Sequence, residues 1–270
     1  MKKGYSGPKA LTDYILKQSR NKANKSFMIL LVQGILAGMY VSLGAIGYFK
    51  IAANTIDPGL GSFLGALVFP LGIIAILLMQ AELFTSDSMV MIAVYDKKTK
   101  FVKTLRILSL VIFANMIGAM FIAFMTQASG IFNEQVMGMV MEKSIQKVNL
   151  PIDQLLISGI MCNILVSTGV CLSYSCKDEI AKIIVVWFAI TVFVLTGTEH
   201  VVANMYYLFT AYFAGAQISL AQIFYNLSIV AVGNFIGGGI IVSGINYVLA
   251  YKNNEKPEPI QMVEPKVNIL

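Results

Sequence analysis

The only histidine in the chain, His200, follows directly on a carboxylate, Glu199. Imidazole is the side chain best suited to exchange a proton near neutral pH. The segment they open, Glu199-His200-Val201-Val202-Ala203-Asn204, has a counterpart in Glu82-Leu83-Phe84-Thr85-Ser86-Asp87. Each begins with glutamate and carries Asn or Asp five positions later, and each interrupts a long apolar run. Polar, irregular backbone at hydrocarbon depth is tolerated only where it is buried in protein or lines a polar cavity. Paired breaks at matching places in two halves point to a transport site near the membrane midplane. A lone histidine is usually a packing residue, but its place inside such a break favours a pore role.

The other candidates divide by chemistry. Glu82 and Glu199 could carry protons, but a structural task suits them better: accepting the backbone N–H groups that a broken helix frees. Asp87 and Asn204, at the far ends of the breaks, can do the same. Thr85 and Ser86 supply hydroxyls able to face a solute, and Asn163 an amide donor within an apolar stretch. Lys147 precedes Pro151 and a later apolar run; it is either a mouth cation that concentrates anions or a solvated loop lysine. Phe69 and Ile73 precede the first break at helical spacing, and Phe193 precedes His200 by seven. They are either bundle packing or dry constrictions flanking the histidine.

Catalysis and metal binding find little support. No second histidine exists, and Cys162, Cys171 and Cys176 match no ligand or redox spacing. The thiols read as small apolar residues without a disulfide, and no cofactor or metal is expected. An intramembrane enzyme would need a nucleophile–base pair that is absent here. A neutral-solute facilitator of the water or glycerol type is the nearer rival, although paired Asn-Pro-Ala motifs are missing.

The elements that must position these residues are membrane helices. The chain is 57% hydrophobic and 13% charged, against about a quarter charged in soluble domains, and its mean hydropathy is +0.74. About 20 apolar residues cross a bilayer as helix, which places six spans near 27–49, 61–95, 105–126, 153–176, 181–212 and 223–250. The second and fifth are overlong and contain the breaks. The expected fold is therefore an all-α integral membrane protein: a 1–26 arm, a six-span domain over 27–250, and a 251–270 tail. In the arm, Leu11, Tyr14 and Ile15 share a helical face with Lys9, Lys17 and Arg20 nearby, which suits an interfacial helix; a frayed tail is the alternative. No cleavable signal peptide is read at the start.

An internal repeat runs through the domain. Residues 34–44 match 159–169, pairing Ser42 with Ser167, and residues 108–118 match 227–237, pairing Ser109 with Ser228 and Asn115 with Asn234. The repeats cover about 27–126 and 153–250. A three-span unit must enter the membrane inverted in its second copy, which places a site at the repeat interface. All Lys and Arg except Lys50, Lys143 and Lys147 fall on one side, giving cytoplasmic termini by the positive-inside rule. The net charge of +6 thus reflects topology and contact with anionic lipid; nothing supports a nucleic-acid partner.

The strings Ala-Glu-Leu-Phe-Thr-Ser-Asp (81–87), Gly-Thr-Glu-His-Val-Val-Ala-Asn-Met (197–205) and Cys-Asn-Ile-Leu-Val (162–166) resemble the signatures of formate/nitrite transporters, over roughly 10–250. The lysine-rich arm looks most similar to the clostridial hydrosulfide-channel branch. The resemblance implies an aquaporin-like fold, a homopentamer with one pore per protomer, and a bacterial plasma-membrane location. It implies a channel for small monovalent anions and their conjugate acids, hydrosulfide first, formate or nitrite next. Carried over by motif, His200 is the central pore histidine and Thr85 the hydroxyl on the first break's loop. Leu83 and Phe84 then form the cytoplasmic slit, Phe69 and Phe193 the outer one. Asn163 and Asn204 become pore-lining amides, and Lys147 the outer basic residue. Two departures stand out: Glu82 occupies a place where some relatives carry Asp, and Pro70 follows Phe69 inside the second span.

Overall fold

The computed structural model describes residues 6–252; most of the expected 251–270 tail lies outside them. The arm forms helix α1 (Pro8–Ala23), with proline in its first turn. Its Ile15–Leu16 face packs on Met89, Ile92, Val170 and Val242, and the Tyr14 and Tyr174 rings sit 4.4 Å apart. The arm thus docks against the helical body, while Tyr14 itself stays exposed.

The first half follows as α2 (Phe27–Asn54), α3 (Pro58–Val68), α4 (Leu71–Leu78), α5 (Phe84–Asp87), a 3₁₀ turn (Ser88–Val90), α6 (Met91–Tyr95) and α7 (Phe101–Ser129). The second comprises α8 (Glu134–Val148), α9 (Ile152–Tyr174), α10 (Glu179–Thr196), α11 (Val201–Phe213), α12 (Leu220–Phe235), a π-helical segment (Ile236–Val242) and α13 (Ser243–Lys252). Among the described residues, six helical stretches are long and apolar enough to span: Phe27–Asn54, Pro58–Leu78, Phe101–Ser129, Ile152–Tyr174, Glu179–Thr196 and Leu220–Tyr251. Each overlong run resolves into a spanning helix, a break and a shorter helix. Side chains cap the starts where sequence allows: Ser26, Asp57, Asn133 and Asp178 each accept a first-turn N–H.

One feature was not foreseen, and the Pro70 departure takes a definite form. Helix α8 occupies the connection between the halves; its buried Val136, Val140, Ser144 and Val148 recur every four residues, a pattern a search for long apolar runs passes over. Pro70 divides α3 from α4, and Phe69 beside it is buried at the bend. Gly44 of α2 lies so close to that bend that a Cβ there would overlap the Phe69 carbonyl.

Candidate functional site

Both breaks are built to one plan. Helix α4 ends before Gln80, which takes a left-handed backbone at φ 53°, and α10 ends at Gly197 with φ 67°. Such a residue stops a helix by turning its backbone out of register. Two residues later comes each glutamate. The next residue, Leu83 or His200, is extended and is the N-cap of the following helix, α5 or α11.

Two asparagines clamp the breaks. Asn115 of α7 donates its amide to the carbonyls of Gly34 (2.8 Å) and Glu82 (2.9 Å) and accepts from the Phe84 N–H (3.0 Å). Asn234 of α12 donates to Gly159 (2.8 Å) and Glu199 (2.9 Å) and accepts from the Val201 N–H (2.9 Å). Both are fully buried. This corrects the expectation for the carboxylates: asparagines, not Glu82, Asp87 or Glu199, satisfy the backbone at the breaks. An asparagine serves better, since one amide both donates and accepts. The repeat had paired these residues, and that pairing was the available signal for their role.

The two N-cap positions carry different side chains, and that difference makes the centre. His200 accepts the Ala203 N–H on its Nδ1 at 3.2 Å, capping α11. An accepting Nδ1 leaves the ring proton on Nε2. Nε2 lies 3.1 Å from the Thr85 hydroxyl, which therefore accepts from the imidazole and keeps its own proton to give. His200 is 2% exposed and Thr85 fully enclosed. Phe193 stands 5.6 Å from the imidazole and 6.1 Å from Phe69, ring centre to ring centre. An aromatic pair thus adjoins the polar pair. Ile73, Leu83 and Phe84 are also buried in the surrounding apolar core.

The carboxylates of both breaks are compensated by lysines. At the Glu82 end, Lys22 of α1 reaches Glu82 (2.6 Å) and Asp87, and Lys25 reaches Glu82 (2.6 Å) and Gln33 (2.7 Å). Burial works against the Lys22 ammonium, but the Asp87 and Glu82 carboxylates outweigh it and raise its pKa above the ordinary lysine value. A cavity of about 850 Å³ opens here, lined among others by Lys17, Lys22, Lys25, Glu82, Ser86 and Tyr174. At the other end, Lys147 pairs with Glu199 at 2.6 Å and stands over the Tyr207 ring at 5.6 Å.

Several expectations therefore change. Lys147 is neither a loop residue nor a free cation: it lies in the last turn of α8, and Glu199 neutralises it. Asn204 gives its amide to Glu199 (2.6 Å) and Asn226 (2.9 Å), so that amide is not open to a solute. Asn163 is likewise committed, to the Thr85 and Asn234 carbonyls, and accepts from Ser167. Lys22 and Lys25 were read only as topological charge; nothing in their spacing marked them as partners of a residue nearly sixty positions away.

The chain matches the family model described as formate/nitrite transporter over residues 9–248. It is 34% identical to the uncharacterized transporter YrhG of Bacillus subtilis (strain 168), covering 92% of this chain and 95% of that one. It is 30% identical to the formate channel BtFdhC of Bacillus thuringiensis, over 91% and 95% respectively. Among solved structures, a pentameric formate channel with formate bound superposes with a TM-score of 0.76 at 27% identity, covering 84% of this chain and 98% of that one.

Proposed function

The chain belongs to the formate/nitrite transporter family, a family of channels and transporters rather than enzymes, and from that membership we propose a passive pore for small monovalent anions and their conjugate acids. Hydrosulfide is the preferred solute, with formate or nitrite next. The observation that carries the reading is the buried His200–Thr85 pair, 3.1 Å apart beside the Phe193–Phe69 rings. An anion cannot enter an apolar slit cheaply while charged. A donor at the centre offsets part of that desolvation, and a proton taken up on the way removes the rest. Since Nδ1 of His200 is occupied as a cap, the histidine acts as a neutral Nε2–H donor through or beside the Thr85 hydroxyl. Protonating Nδ1 would oppose it to the Ala203 N–H and release the start of α11.

Hydrosulfide ranks first because it is the most basic of the three and is neutralised most readily, and because of the lysine-rich arm. The protein acts as a homopentamer in a bacterial plasma membrane with both termini cytoplasmic. That places the Glu82 end inside and the Lys147 end outside, and the charge asymmetry of the flanks supports it. The pentameric relative supports the assembly. The test is anion flux into proteoliposomes for His200→Asn, read against pH. Asparagine keeps a capping oxygen but cannot reach Thr85, so flux should fall at least tenfold with the protein still folded. Undiminished flux with an unchanged pH profile would remove the histidine from the mechanism.

A further inference from the structure

We propose that Asn163, Ser88 and Gly238 form a positioning node that holds Thr85 from outside the pore. This rests on reading His200–Thr85 as the pore centre. The argument begins where the internal repeat fails. In the register that pairs 34–44 with 159–169, Asn163 stands opposite Gly38; the register of 108–118 with 227–237, continued by one residue, sets Gly238 opposite Ala119. In the first half these positions make a backbone contact: a Cβ on Gly38 would overlap the Asn115 carbonyl of α7. In the second half a side chain fills the equivalent space.

That side chain is the Asn163 amide. Its nitrogen lies 2.6 Å from the Asn234 carbonyl, 3.1 Å from the Thr85 carbonyl and 3.2 Å from the Ser88 hydroxyl, and its oxygen accepts from Ser167 at 3.2 Å. Ser88 donates to the same Thr85 carbonyl at 2.6 Å. Room for this cluster comes from the sixth span. A Cβ on Gly238 would overlap Ser88, Asn163 and Ser167 together, and the helix there runs as a π-helix over Ile236–Val242. Changing from i−4 to i−5 bonding widens a helix and leaves a carbonyl without a main-chain donor at the junction. The Asn234 carbonyl, just before that segment, takes the Asn163 amide.

The Thr85 carbonyl is thus held by two donors on one side while its hydroxyl meets His200 on the other. Three elements, α9, the 3₁₀ turn and the π-helical segment, converge on one residue. The mirrored position, Gly38, carries no such device because the residue it would hold, Val202 of the second break and counterpart of Thr85, has no hydroxyl to aim. A node that departs from the repeat only where one half must present a hydroxyl is a positioning device for that hydroxyl.

The experiment uses the full chain in proteoliposomes. Cys162, Cys171 and Cys176 are replaced by alanine and Thr85→Cys reports the loop through its rate of modification by a small methanethiosulfonate. Ser88→Ala and Gly238→Ala should each raise that rate about tenfold, and Ala119→Gly, at the mirrored position, should leave it unchanged. With Thr85 intact, the same two node variants should alter the ratio of formate to lactate flux, and Ser88→Ala should do so with thermal melting near that of the parent. Should Gly238→Ala fail to fold, Ser88→Ala still decides, since it removes one oxygen and overlaps nothing. Parental labelling and parental selectivity in Ser88→Ala would overturn the node, as would an equal change in Ala119→Gly. Absence of anion flux in the parent would defeat the proposed function, whereas the labelling rates would still test the node.

Discussion

At the scale of single residues, the centre depends on one imidazole with two assigned nitrogens. Nδ1 closes the first turn of α11 and Nε2 faces Thr85, so the ring cannot rotate without losing one bond or the other. Removing the threonine hydroxyl leaves the Nε2–H buried without an acceptor, a penalty of about 1–3 kcal/mol. Thr85→Val, which keeps the shape of the side chain, should therefore reduce anion flux by roughly tenfold, and Thr85→Ser should retain most of it. Stopped-flow uptake into proteoliposomes distinguishes the two; equal rates for valine and threonine would show that the hydroxyl does not touch the permeant. A serine that behaves like valine would locate the requirement in the threonine methyl instead.

Elements set where those residues stand, and the two asparagine clamps are the clearest case. Asn115→Leu orphans the Phe84 N–H and the Glu82 carbonyl, and Asn234→Leu orphans the Val201 N–H and the Glu199 carbonyl. No water in the hydrocarbon region can replace them, so each substitution should destabilise the detergent-solubilised protein by about 3 kcal/mol or more, and by similar amounts. Thermal melting checks this; a large loss for one and none for the other would break the symmetry. Helix α1 is held differently, through Lys22 on Glu82 and Asp87. Lys22→Met should strand Asp87, while Lys25 still holds Glu82, at roughly 3–5 kcal/mol, and expose Lys17 and Arg20 to trypsin. Because the folded-state lysine pKa is raised, its contribution is complete below the unfolded value and is lost only as pH rises through the folded one. Protection of α1 should thus be level across neutral pH and fail only at strongly alkaline pH.

The whole molecule shows which of these features a sequence can disclose. Hydropathy gave the six spans, and the two glutamate-led motifs gave both breaks, because a polar residue in a long apolar run is conspicuous. Asn115 and Asn234 were visible as a repeated pair but not as clamps, since their partners are main-chain groups that any residue could supply. Lys22, Lys25 and the pairing of Lys147 with Glu199 were hidden for another reason: ion pairing is a contact between distant segments, and a charge tally reads such residues as topology. Once those pairs are drawn, Lys22 and Lys25 offset Glu82 and Asp87, and Lys147 offsets Glu199. In the proposed pore these fixed charges offset one another, which argues against a cationic filter as what selects the solute. Selection falls to the apolar rings and a single hydrogen-bond donor, which favour whatever sheds its charge with one proton. Counter-flow through purified protein should therefore rank hydrosulfide above formate and formate above nitrite at fixed pH, following basicity. Each flux should rise as external pH falls, and sulfate, which needs two protons, should not pass. Sulfate flux comparable to formate, or nitrite fastest with no response to pH, would mean that the ions cross charged and that the ion-paired ends open during transport.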